Sequence, residues 1–133
     1  MDIANFIPTT DTVDIELKKD STTDEVMTNE DGSPMVITMY LPHSKVYKDV
    51  RHEQTNRRIA RSQQRKKQPV TAQEIEAETI ELLVKTTAGW NITYKGEQPK
   101  FSEELAAEIY NRAPFITDQI FEGVAEAQDF TSV

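Results

Sequence analysis

The chain of 133 residues contains no cysteine, so thiol nucleophiles, disulfides and thiolate metal sites are absent from the start. Only His43 and His52 are available as imidazoles, and a metal site would need carboxylates drawn from separate segments to complete it. Glu74, Glu78 and Glu81 recur at i, i+4 and i+7, which lines carboxylates along one face of a helix. Runs of charge at helical spacing most often form a solvated face. His52 stands among bases beside Glu53 and reads as a surface residue, while His43, next to Pro42, reads as part of a turn. The glycines at 32, 89, 96 and 123 are too dispersed for a phosphate-cradling loop or a dinucleotide fingerprint. Serines and threonines are plentiful, yet none is set with a histidine and an orienting acid in a nucleophile pattern. These residue types predict a chain that is not an enzyme, with no catalytic residue, cofactor or metal.

Charge is the stronger chemical signal. Residues 45–67 carry nine Lys or Arg against Asp49 and Glu53, a net of +7, whereas the rest carries six bases against twenty-one acids, a net of −15. Asymmetry of this kind bears on partners and solubility. Arg57, Arg58, Arg61, Arg65, Lys66 and Lys67 are therefore the candidate partner-binding residues. Three uses are open to them. They can neutralise phosphates of a nucleic acid, but no aromatic residue lies between Tyr47 and Trp90 to stack on bases. They can fold back across Pro69 onto Glu74, Glu76, Glu78 and Glu81, in exposed ion pairs of ~0–1 kcal/mol each. They can form a mobile arm that docks on an acidic protein and orders there, the use the pattern favours.

The elements that must carry these residues divide into three parts: residues 1–43, an N-terminal β segment with a mobile loop over 20–33; residues 44–70, a basic helical arm; and residues 71–133, a C-terminal helical domain. In the first, Val13, Ile15 and Leu17 alternate with polar residues and "MVITMYL" follows at 35–41, the pattern of a half-buried hairpin or small antiparallel sheet, to which Val26, Met27 and Thr28 can add a short strand. In the second, Ser44 is an N-cap candidate and Val46, Tyr47 and Val50 recur at helical spacing. After Val50 only Ile59 is a sizeable aliphatic residue before Val70, so the first turns are expected to pack and the remainder to be exposed, frayed, or ordered on a partner.

In the third part, Thr71 and Glu74 have the form of a capping box, and a helix runs from there with Ile75, Thr79, Leu82, Leu83 and Thr86 on one stripe and Gly89 as its C′ residue. Trp90 and a short Ile92/Tyr94 alternation lead to Phe101. Ser102 caps a short helix with Leu105, Ala106, Ile109 and Tyr110, and Pro114 opens a last one with Phe115, Ile116, Ile120, Phe121 and Val124. The expected structural core is Val46, Tyr47, Val50, Leu82, Leu83, Trp90, Phe101, Ile109, Phe115, Ile116 and Ile120, with Trp90 capping it rather than standing out as a binding anchor. The fold class is α+β: an N-terminal β-hairpin or small antiparallel sheet, a long basic helix, then a small C-terminal helical bundle.

No stretch approaches the ~20 apolar residues of a bilayer span, and Asp2 stands where a signal peptide would be basic. A soluble chain that is not exported is expected, with no membrane partner.

Taken in order, "DGSPMVITMYLPHSKVYKDV", the "QTNRR" helix and "TAQEIEAETIELLVKTTAGWNITYKGEQPKFSEELAAEIYNRAPFITDQI" resemble small proteins encoded in the tail modules of long-tailed, siphovirus-type bacteriophages. The part from about residue 75 to residue 130 resembles the tail assembly chaperones: a helix, a Gly-Trp element, a polar loop into a Phe-Ser helix cap, then a Pro-led helix. The resemblance covers roughly residues 12–130. It implies a non-catalytic role in tail morphogenesis, in the host cytoplasm, binding the tape-measure protein and tail-tube subunits before leaving the finished particle; self-association is compatible with it. The class shares no catalytic motif, so a role and no site is implied. Two alternatives are a structural accessory protein that stays in the virion, and a small phage regulatory protein that binds nucleic acid or a host nucleic-acid-binding protein.

Overall fold

A computed structural model describes residues 1–20, 22–64 and 69–131. A single 3₁₀ turn, Ile3–Phe6, precedes strand β1 (Thr12–Glu16), strand β2 (Val36–Tyr40), helix α1 (Lys45–Ser62), helix α2 (Ala72–Lys85), strand β3 (Thr87–Asn91), helix α3 (Glu103–Arg112) and helix α4 (Pro114–Thr131). The three strands form one antiparallel sheet in the order β1-β2-β3, so the α1–α2 hairpin is an excursion between two neighbouring strands. The architecture is α+β, with a small sheet and then helices.

The period-2 alternation in β1 has the expected consequence. Ile15 and Leu17 are buried while Asp14 and Glu16 face out, and Ile15 stands opposite Ile37 of β2. Beyond the strand ends the 20–33 loop, expected to be mobile, is tied to the sheet. Met27 sits between the separating strands, with its N–H on the Leu17 carbonyl at 2.7 Å and its carbonyl taking the Met35 N–H at 2.8 Å. Asn29 is buried, donating to the Ser33 side chain at 3.2 Å and accepting from the Thr93 hydroxyl at 2.6 Å.

Three helix starts follow from their caps. Ser44, Thr71 and Ser102 each accept from the third amide downstream at 3.2 Å, and α4 begins on Pro114, where the missing N–H costs nothing. One helix end differs from expectation: Gly89 is not the C′ residue of α2. The helix stops at Lys85, the Thr86 and Thr87 hydroxyls donate to the Leu82 and Leu83 carbonyls at 2.6 and 2.7 Å, and those bonds satisfy the helix-end acceptors without a left-handed glycine. Gly89 instead lies in β3 opposite Thr38, where a shift of register between Thr38 and Met39 bends the strand pair.

The main core cluster is shared by the sheet segment, α2, α3 and α4. Ile15, Leu17, Ile37 and Met39 of the sheet segment pack with Leu83 and Val84 of α2, Ile109 and Tyr110 of α3, and Ile116 and Ile120 of α4. Leu82, Leu83, Ile109, Ile116, Ile120 and Val50 are buried as expected, and Val46, Tyr47, Trp90 and Phe101 are partly buried. Phe115 is the exception: it remains 46% exposed, because residues 116 and 120 take the inward face of α4 and its neighbour at 115 turns away. Phe121 is left in the same position, 44% exposed.

Candidate functional site

The basic helix is where the sequence places partner contacts, and the structure determines what its arginines touch. α1 continues without a break to Ser62 although only Val50 and Gln54 along it are buried. Gln54 lies one turn beyond Val50 and points at α2, where its amide donates to the Glu78 carbonyl at 2.8 Å and to Glu81 Oε1 at 3.0 Å. A buried amide with partners of this kind fixes the axial register between two helices, since a slip would strand it.

Outward from Gln54 three ion pairs continue the seam. Arg57 binds Glu81, Arg58 binds Glu78 with Nε 3.1 Å from Oε2, and Arg61 binds Glu74 through two nitrogens. The order runs antiparallel along the two helices. The pairs leave an electrostatic signature. Each arginine is held further towards its charged form, chiefly by the hydrogen bond to its carboxylate. The bond from Arg61 pulls the Glu74 carboxyl below its ordinary value, with the Thr71 amide assisting. At Glu81 partial burial opposes ionisation, but Arg57 and Gln54 together outweigh it and the net shift is downward.

This corrects the expectation of a free arm. From Gln54 to Arg61 the basic helix is docked on α2 of its own chain, and Glu74, Glu78 and Glu81 are its counter-charges rather than a face left wholly to solvent. Arg65, Lys66 and Lys67 lie outside the described residues. The sequence contained the i, i+4 and i+7 acids and the arginines needed; what it did not reveal was Gln54, whose amide is the element that sets the register.

The second site candidate is the Trp90 unit. Trp90 stands on β3 opposite Ile37, meets the Phe101 ring edge-on at 4.9 Å and 77°, and donates its indole N–H to the Pro99 carbonyl at 3.0 Å. The loop between them turns at Lys95 and Gly96, both at positive φ, with Tyr94 and Glu97 exchanging backbone bonds of 2.8 and 3.1 Å. Trp90 therefore fastens the polar loop over the core and leads directly into the Ser102 cap. On α4, Phe115 and Phe121 are exposed to solvent.

The remaining chemical candidates are structural in their surroundings. The His43 ring lies 2.9 Å from the Thr10 carbonyl, with Asp11 beyond, and so joins the β2–α1 turn to the chain before β1. His52 is exposed. Among the described residues no three His, Asp or Glu side chains converge as metal ligands, and no helix is long and apolar enough to cross a membrane. Comparison with protein-family models, with curated proteins and with solved structures finds no match to this chain.

Proposed function

We propose that the chain is a non-catalytic assembly factor, a tail assembly chaperone of a long-tailed bacteriophage that binds the tape-measure protein and tail-tube subunits in the host cytoplasm. The resemblance in the order of its motifs is the starting point. The observation that carries the reading further is that those motifs form one continuous packed unit: Trp90 on Phe101, Ser102 capping α3, and the Pro114-led helix closing the core through Ile116 and Ile120. On the outside of that unit, Phe115 and Phe121 remain 46% and 44% exposed on separate sides of α4, two apolar side chains that a hydrophobic client helix can cover. The surrounding net charge of −8 keeps such a complex dispersed.

Co-expression tests it. A tape-measure fragment and the tube subunit from the same tail module should co-purify with the chain, the fragment's soluble fraction should rise several-fold, and Phe115→Ser with Phe121→Ser should reduce both effects. Mass spectrometry of purified virions should find the chain absent. Failure of the fragment to co-purify would sink the proposal, and abundance in the virion would make the chain a structural subunit instead.

A further inference from the structure

Gln119 of α4 treats the outer edge of β1 as a neighbouring strand would. Its side-chain carbonyl accepts the Lys18 N–H at 2.7 Å and its amide donates to the Lys18 carbonyl at 3.0 Å, so both outward backbone groups of that residue are met by a side chain. Among the described residues the edge continues without such a partner. The Leu17 N–H bonds the Met35 carbonyl and the Leu41 N–H bonds the Asp11 carbonyl. With the observed register, the odd-numbered residues of β1 thus turn their backbone groups towards β2, and Thr12, Asp14 and Glu16 turn theirs away from the sheet. β1 is an outer strand, and an unpaired outer strand is a template for another chain.

Beside that edge, between β1 and α4, lies an open groove of about 470 Å³. It shares Lys18, Gln119 and Glu122 with a second cavity of about 310 Å³ that reaches Phe115, so the two form one trough. Asp14, Glu16, Glu122 and Glu126 line the larger part against the single base Lys18, which is itself drawn towards Asp24 at 3.5 Å.

We infer that this trough is a docking site for an extended, basic segment of a partner protein, which adds to β1 as a fourth strand. The outward N–H and C=O groups at 12, 14 and 16 demand backbone partners, which an extended chain supplies and a helix does not. The carboxylates select Lys or Arg on the incoming strand and repel phosphate-bearing ligands. The inference does not rest on the tail-assembly reading, since any protein with such a segment satisfies it.

The test is selection from a displayed library of random nine-residue peptides on the intact protein. Enriched sequences should carry Lys or Arg at alternate positions, shift the amide resonances of Thr12, Asp14 and Glu16, and lose at least tenfold in affinity on the Glu16→Lys/Glu122→Lys variant. Both glutamates are exposed, so reversing them leaves the core intact, and an unchanged Tm checks this. Enrichment of neutral or acidic sequences, binding indifferent to the charge reversal, shifts confined to another surface, or no enrichment over the unselected library would each overturn the inference.

Discussion

Tyr110 brings its hydroxyl into the core and meets Thr87 there at 2.8 Å. The Thr87 hydroxyl already donates to the Leu83 carbonyl at 2.7 Å, which leaves Tyr110 as the donor between them. Burial pushes the phenol up to about 12. The folded state therefore favours the neutral phenol. That contribution is complete below pH 10, the ordinary value, and is lost as the pH rises through about 12. In an alkaline titration followed at 295 nm, one tyrosine should ionise only near pH 12, together with loss of the helical circular dichroism. Tyr110→Phe should lack that late step and should be less stable at pH 7 by about 1 kcal/mol, the usual cost of one lost hydrogen bond.

At the scale of elements, the α1–α2 seam combines one buried amide with three surface ion pairs. The pairs contribute little one by one at the surface, ~0–1 kcal/mol in general, so Gln54 decides the geometry. Gln54→Ala should cost about 2 kcal/mol in chemical denaturation, because it leaves Glu81 a poorer set of partners and opens a gap in the seam. Glu74 and Glu81 are held below the ordinary carboxylate value of 4.5. Their contribution is therefore present in full above pH 4.5 and is lost as the pH falls through the lowered folded values. Hydrogen exchange of residues 55–62 should accelerate below that pH before the sheet does.

The legibility of these elements follows the same division. Strands β1 and β2, the three caps, Pro114 and most of the core were readable because period, caps and proline act locally. The seam was legible as one of three uses of the basic residues but its register was not, because a glutamine in a polar helix has no periodic signature and which arginine meets which of Glu74, Glu78 and Glu81 depends on the angle at which two helices return. Phe115 was misplaced for a related reason: apolar residues at 115, 116, 120 and 121 span more of the helix than one buried face admits, and only packing chooses among them. β3 was hidden behind Gly89, whose usual meaning after a helix was displaced by two threonine hydroxyls.

For the molecule as a whole, closure depends on α4 lying against β1. Gly123 makes this possible, because a Cβ there would stand 2.9 Å from Ile15 Cγ1 and 3.0 Å from its Cδ1. Gly123→Ala gains about 1 kcal/mol of helix propensity but meets an overpacking cost of roughly 1–3 kcal/mol. A net loss of about 1 kcal/mol is expected, seen as one cooperative transition at lower denaturant with unchanged slope, since both ends of the chain share one core.

Gln119 reaches Lys18 across 101 positions of sequence, and that has a bearing on synthesis. While a ribosome is still adding the helical half, the first strand has been made but the side chain that closes its edge has not. Ile15 and the open rim of β1 stay uncovered until residues 119–123 emerge. Closure of the sheet's outer edge in the nascent chain therefore waits 101 positions of synthesis beyond Lys18, and over that interval the strand is unguarded.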